Sequence, residues 1–294
     1  MMPADYEYLR KLLKTRSGLT LSADKHYLVE SRLLPVARRA GVPNLNALVA
    51  RLKTPDAEPL IVEVVEAMTT NESLFFRDKS PFEQLRDTVM PALIKARTAS
   101  RRIRIWCAAA ATGQEPYTIA IVLREMSKEL RNWRIQILAT DLSTEVLEKA
   151  KSGIYSQFEV QRGLPVTTLI KYFSQVGEMW QIAPELRGMV QFKAANLLHD
   201  FSSFGTFDVV FCRNVLIYFD QDTKIDVLKR LGQVIEPDGF LALGAAETVV
   251  GLTDSFKPMA DRRGFYVPSS GGIQAAVPRH DANVVHLKPR AAAG

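Results

Sequence analysis

The spacing of apolar positions divides the chain into two regimes. Up to residue 70 they recur with helical period. Tyr6, Leu9, Leu12 and Leu13 form one stripe, ended by Gly18. Val29, Leu33, Val36 and Ala40 form another, on a helix that Ser22 is placed to cap and that runs to Ala40, with Gly41 just beyond. Asn44 opens a third helix over 45–53, and a fourth follows Pro55 over 60–68. From 101 to 267, β-prone runs alternate with helical stripes. Strands are predicted over 103–107, 134–140, 190–193, 207–212, 240–244 and 264–267, and helices over 115–130, 144–151 and 221–235. This alternation predicts an α/β domain with a doubly wound sheet, and the unbroken apolar run Phe207–Cys212 is typical of a central parallel strand.

Two segments break the rhythm. Residues 153–189 are too many for an ordinary connection. Within them, Val176, Gly177, Glu178 and Met179 read as a hairpin turn between strands at 171–175 and 179–183, which makes a small inserted antiparallel β-subdomain. Residues 71–100 join the two regimes as a linker and a first helix, opened by a capping box at Ser80 and Glu83 with Pro81 between them. The stretch 69–79 is denser in Asn, Ser, Arg and Phe than a plain linker. If it crosses the top of the sheet, Arg77 faces the pocket there; otherwise Phe75 and Phe76 staple the two domains. From 268 to 294 the composition turns to Gly, Ala, Pro and Ser, and a disordered tail is expected.

The chemistry concentrates where the first strand meets its helix. Four alanines, Thr112 and Gly113 form a tight loop, and Glu115 and Pro116 open the helix. In an open α/β sheet such a junction binds ligands. The loop lacks the three glycines of a dinucleotide site and the lysine of a P-loop. It carries Glu115 instead, and the next strand ends at Asp141. Taken singly, Glu115 is a first-turn acid favoured by the helix dipole and Asp141 an N-cap for the helix near Ser143. Together they suit a cationic ligand with a ribose, Asp141 accepting from the hydroxyls and Glu115 pairing with an ammonium, as S-adenosylmethionine would require.

Composition narrows the classes further. With 47% hydrophobic and 24% charged residues the chain is an ordinary globular protein. No membrane-spanning run or signal peptide is visible, so a cytoplasmic protein is expected. Cys107 and Cys212 fall in predicted core strands, and four scattered histidines suggest no metal site. The net charge of +6 fits nucleic acid no better than an acidic protein surface. Lys25, Arg32 and Arg39 recur every seven residues with Arg38 nearby, as a solvated face or a docking surface for an acidic helical partner.

With these segments placed, the sequence resembles the CheR-type chemotaxis receptor methyltransferases over roughly residues 5–267. Five motifs carry the resemblance in order: Thr70-Asn71-Glu72-Ser73-Leu74-Phe75-Phe76-Arg77; Ile105-Trp106 through Gly113-Gln114-Glu115-Pro116-Tyr117; Ala139-Thr140-Asp141; Asn196-Leu197-Leu198; and Phe211-Cys212-Arg213-Asn214-Val215-Leu216-Ile217-Tyr218-Phe219. The resemblance implies a Rossmann-like class I S-adenosylmethionine-dependent methyltransferase sheet (101–267), an all-helical N-terminal domain (1–70) and the inserted β-subdomain. It further implies methylation of glutamate side chains on methyl-accepting chemotaxis receptors, with S-adenosylhomocysteine as product. Cofactor contacts then fall on Asn71, Ser73, Arg77, Glu115, Asp141, Asn196, Leu197, Arg213 and Asn214. Ser73 stands where many members have Thr, Gln114 where Glu is usual, and the Ala108–Ala111 run where Gly, Cys or Ser is frequent. The short loop around Gly177 and Glu178 implies a member independent of a receptor's C-terminal pentapeptide.

An ionised glutamate needs no general base, so catalysis would rest on alignment and removal of water. Arg77 and Tyr218 are the candidates for positioning the incoming carboxylate; Tyr218 as a core aromatic is the competing reading. Asn214 is placed at the reactive centre, while Arg213 either touches ligand or caps strand ends. Asn196 and Leu197 would flank an adenine. The partner is then the cytoplasmic helices of a receptor, met through Lys25, Arg32 and Arg39 by a monomer. A nucleic-acid methyltransferase is the less favoured enzyme, because Asn214-Val215-Leu216-Ile217 replaces the Pro-Pro-aromatic motif of amino-methylating members. A non-catalytic cofactor-binding signalling protein is the alternative from another class.

Overall fold

The computed structural model describes residues 1–269. Four helices, α1 (Pro3–Ser17), α2 (His26–Arg39), α3 (Leu45–Leu52) and α4 (Glu58–Met68), enclose a core of their own that includes Leu9, Leu13, Val29, Leu33 and Leu48. Gly18 ends α1 in the left-handed conformation, and the Asn44 side chain accepts from the Ala47 N–H at the start of α3. Ser22 does not cap α2. Its hydroxyl turns to Asp24, its carbonyl accepts from the Tyr6 hydroxyl at 2.7 Å, and a turn delays the helix to His26, whose ring stacks on Tyr6. Tertiary anchoring of the turn outweighs the local capping signal there.

The connecting segment holds α5 (Ser80–Gln84), a π-helical turn at Leu85–Val89, and α6 (Met90–Ala96). Phe76, Asp78 and Lys79 all have positive φ, which bends the chain sharply into α5 and puts Lys79, not Ser80, at the N-cap. The expected capping box is therefore absent: the Ser80 hydroxyl lies inside the helix and accepts from Gln84 Nε2. Phe75 does not staple the two domains either. It is fully buried and meets Tyr155 and Phe173 of the insertion edge-on, while Phe76 packs on Phe82.

The rest of the chain runs β1 (Arg102–Ala108), α7 (Gln114–Glu125), β2 (Arg134–Asp141), α8 (Thr144–Ser152), β3 (Ile154–Ser156), α9 (Gln157–Gln161), α10 (Val166–Tyr172), β4 (Phe173–Val176), β5 (Met179–Ile182), α11 (Pro184–Arg187), β6 (Val190–Ala194), β7 (Phe207–Cys212), α12 (Gln221–Val234), β8 (Ile235–Leu243), β9 (Phe256–Pro258) and β10 (Phe265–Pro268). The main sheet has the order β6-β2-β1-β7-β8-β10-β9, parallel from β6 to β8 and antiparallel from there to β9. Alternation along β1 sends Ile103, Ile105 and Cys107 to one face and Trp106 and Ala108 to the other, so the sheet carries a separate core on each side. The strand order reverses between β1 and β7, which opens a crevice at their C-terminal ends.

Several boundaries differ from the sequence reading. α7 ends at Glu125, five residues early, and the chain continues in turns that still bury Met126 and Leu130. β8 begins at Ile235 and pairs with Phe207 before a register shift. At that shift Gly239 lies so close to Asp208 O that a Cβ would sit 2.8 Å away. The insertion is a three-stranded antiparallel sheet, β3-β5-β4, with Lys171 and Tyr172 in α10 rather than in a strand. Its capping box is formed by Ser156 and Glu159. Pro268 closes β10 against Phe256, so it belongs to the sheet; the tail expected to be disordered lies, from residue 270, outside the described residues.

Candidate active site

The floor of the site is the loop from β1 to α7. Ala109, Ala111 and Gly113 all have positive φ, at 62°, 47° and 93°. Gly113 is required on two counts, because a Cβ there would also stand 2.9 Å from the Ala150 Cβ. The strained loop is held by the tip of β2. Asp141 Oδ2 accepts from the Ala111 N–H at 2.8 Å and Oδ1 from the Ser143 N–H at 3.0 Å. Ser143, not Asp141, caps α8 by accepting from the Val146 N–H. Each Asp141 oxygen thus holds one amide and keeps a lone pair for a ligand hydroxyl. The carboxylate is buried, and burial raises its pKa against the pull of the two amides.

Glu115 stands in the first turn of α7, across the crevice from the end of β7. Arg213, one residue past β7, donates from Nη1 to Glu115 Oε2 at 2.9 Å and from Nη2 to Asp78 Oδ2 at 2.7 Å and Arg77 O at 3.1 Å. Its Nε is buried and has no partner among the described residues. Burial raises the Glu115 pKa, and the charge of Arg213 opposes that rise. Gln114 turns away from the crevice and accepts from the Thr112 hydroxyl at 2.8 Å in the core, so its missing charge does not face the site.

The walls come from both regimes. On one side the linker lays Thr70, Asn71, Ser73 and Arg77 along the rim. Arg32 holds this linker, donating to Met68 O, Thr69 O and Thr70 Oγ1 at 2.6, 2.9 and 3.0 Å. On the other side Asn214, at φ 60°, leads into Val215 and Tyr218. The C-terminus of α1 closes the end: Thr20 N donates to Tyr218 O at 2.9 Å, Gly18 packs on the Phe219 ring, and Asn196 Nδ2 donates to Arg16 O at 2.7 Å. The Asn196 oxygen accepts from the Leu198 N–H at 2.9 Å, so this amide also braces the turn after β6 while lining the cleft.

The result is a single cleft, open on one side, at the C-terminal edge of the sheet. Asn71, Ser73, Arg77, Glu115, Asp141, Asn196, Leu197, Arg213, Asn214 and Tyr218 all line it. Lys25, Arg32 and Arg39 do not; Lys25 is 3.8 Å from Asp24, and Arg39 pairs with Glu63 at 2.7 Å. Sequence reasoning missed Ser17, Leu19 and Thr70 in the lining, and Glu247 behind it. Among the described residues no cluster of three or more His, Cys, Asp or Glu is arranged to hold a metal, and no helix is long and apolar enough to cross a membrane.

A crevice at the switch point, acidic on its floor and made of small residues where backbone must approach a ligand, defines a methyltransferase that uses S-adenosylmethionine. Residues 71–265 match the family profile "CheR methyltransferase, SAM binding domain" and residues 4–69 match "CheR methyltransferase, all-alpha domain". The chain belongs to the CheR methyltransferase family. It is 43% identical over 259 residues to chemotaxis protein methyltransferase 1 of Pseudomonas aeruginosa, covering 86% of this chain and 93% of that one. Chemotaxis protein methyltransferase Cher2 of Pseudomonas putida is 41% identical with the same coverage, and chemotaxis protein methyltransferase 1 of Vibrio cholerae is 36% identical, covering 86% and 92%. S-adenosylmethionine is accordingly its cofactor.

Proposed function

We propose that this chain methylates glutamate side chains of chemotaxis receptors, forming methyl esters for sensory adaptation. Relatives named as chemotaxis methyltransferases support the substrate class. The observation that carries the chemistry is the pairing, in one cleft, of two carboxylates on the floor, the buried Asp141 and the partly buried Glu115, with Arg77 and Tyr218 on the rim.

S-adenosylmethionine, when bound, supplies an electrophilic methyl on a sulfonium. The residues present fit it. Asp141 retains acceptor capacity for ribose hydroxyls, and Ala109 and Ala111 leave room for close approach. Glu115 presents a carboxylate to the ammonium, and the unpartnered Arg213 Nε is a spare donor. Leu197 supplies an aliphatic wall. Arg77 and Tyr218 hold the incoming glutamate carboxylate in line, Arg77 through a charge-assisted fork. The acceptor is already ionised, so no side chain moves a proton; the linker and the end of α1 exclude water from the cleft.

The face of α2 serves in this reading as the docking surface for the acidic receptor helices. Lys25 and Arg39 present charge outward, and Arg32 couples the face to the linker. The two-residue turn at Gly177 and Glu178 supports independence from a receptor C-terminal pentapeptide. The same reading makes the enzyme a cytoplasmic monomer with no nucleic-acid substrate. Incubation with methyl-labelled cofactor and receptor-containing membranes tests it. Alkali-labile label released as methanol supports the reading. Stable label, or tight cofactor binding with no label, removes it.

A further inference from the structure

Three main-chain N–H groups converge on Glu247, a buried carboxylate four residues beyond the end of β8. Its Oε2 accepts from the Gly244 N–H at 2.7 Å and the Asn214 N–H at 2.8 Å, and its Oε1 from the Ile217 N–H at 3.2 Å. Its own N–H returns to Gly244 O at 2.9 Å. The carboxylate therefore ties the turn after β8 to the segment after β7. It does not line the cleft.

We infer that Glu247 is a positioning residue of the cofactor site, holding residues 214–218 in the shape that presents Asn214 and Tyr218 to the cleft. Asn214 has φ 60°, a left-handed conformation that asparagine tolerates better than most residues with a Cβ, and the bond from its N–H to the carboxylate fixes it there. Hydrogen bonds from N–H to an ionised carboxylate are about twice as strong as neutral ones. Two of them grip this segment at Asn214 and Ile217, either side of Val215 and Leu216. Gly244 makes room for the arrangement: a Cβ there would stand 2.7 Å from Glu247 Oε2 and 2.8 Å from Asn214 Nδ2. A glutamine at 247 has only one acceptor oxygen and would turn an NH2 toward a main-chain N–H. The inference rests on the assignment of Asn214 to the cofactor, and it is tested without a receptor.

The experiment is titration of S-adenosylhomocysteine into wild type, Glu247→Gln, Asn214→Ala and the double variant, with thermal melting of each apo-protein. Glu247→Gln is expected to weaken binding about tenfold, the equivalent of one good hydrogen bond. The double variant is expected to lose no more than the worse single one, because the two residues act as a unit. Gly244→Ala keeps the carboxylate but displaces it, so it should weaken binding in the same direction; it also decides the matter if Glu247→Gln fails to fold. Wild-type affinity in Glu247→Gln, or in Gly244→Ala where only that variant folds, overturns the inference, as do losses that simply add in the double variant. A wild-type enzyme that binds the product tightly but leaves receptors unlabelled would sink the proposed function and leave this role standing.

Discussion

Arg213 reaches Glu115 beneath the cleft with only 1% of its side chain in contact with solvent. The pair is a buried ion pair whose third member is Asp78, on the linker. Removing the arginine leaves Glu115 buried without compensation, which in such pairs costs about 3–5 kcal/mol. Arg213→Ala is expected to lower the unfolding free energy of the apo-protein by that order. Arg213→Lys should recover part of it, since an ammonium cannot serve both carboxylates with a planar fork. Denaturant titration of the three proteins checks this; an unchanged midpoint for Arg213→Ala would remove the pair from the stability of the fold.

Asp141 serves the loop and the ligand with the same two oxygens. Asp141→Ala frees the Ala111 and Ser143 amides and deletes the acceptor for the ribose. Loss of two hydrogen bonds to a charged group predicts S-adenosylhomocysteine binding weaker by about a hundredfold or more. Calorimetric affinity equal to wild type would defeat the assignment.

The raised pKa values give a pH dependence of definite sign. Asp141 and Glu115 are both pushed up from ordinary values of 3.8 and 4.5, each chiefly by burial. In the apo-protein they hold protons to higher pH than in the unfolded chain. The stability this contributes is complete below the ordinary carboxylate range and is lost as pH rises through the raised values. Ligand binding has the opposite sense, because a ligand that offers an ammonium to Glu115 and ribose hydroxyls to Asp141 favours both ionised forms. Affinity for S-adenosylhomocysteine should therefore fall, and proton release on binding appear, as pH is lowered through the raised carboxylate range. Calorimetry in two buffers of different ionisation enthalpy measures both, and a flat profile would contradict the electrostatics of the floor.

Charge reversal on α2 should separate the three basic residues. Lys25→Glu with Arg39→Glu is expected to reduce receptor methylation several-fold at low salt and leave cofactor affinity unchanged, since neither side chain lines the cleft. Arg32→Glu breaks the hold on Met68, Thr69 and Thr70 and should weaken both. Methylation rates and product titrations on the same preparations distinguish these outcomes; equal behaviour of the three would dissolve the distinction.

The centre of the sheet was legible because its strands are buried on both faces and read as apolar runs: β7 is predicted residue for residue. Local signals failed where tertiary contacts overrode them. Ser22 and Ser80 carry good capping chemistry, but the Tyr6–His26 stack delays one helix start past Ser22, and the left-handed turn at Phe76 to Lys79 brings the other forward so that Ser80 falls inside the helix. β9 is three residues long and is defined only by its pairing with β10, so no pattern marks it.

The candidate site was legible at its chemistry-bearing ends and illegible in its bracing. Glu115 and Asp141 stand out because carboxylates at neighbouring strand tips are unusual. Asn196 is recognisable by position, yet its amide proves to be committed to Arg16 and Leu198. Glu247 sits in a turn with no periodicity, and the amides it serves become visible only when β7 and β8 lie side by side. The one available signal was a lone acid following Gly244 and two alanines.

The end of α1 touches both sides of the crevice, through Thr20 on Tyr218 and through Arg16 on Asn196. Severing the chain near residue 70 would thus leave the sheet intact but its nucleoside chamber open at one end. A swapped helical module would have to be refitted to the donor pocket, so this domain and the grip on the methyl source are inherited together.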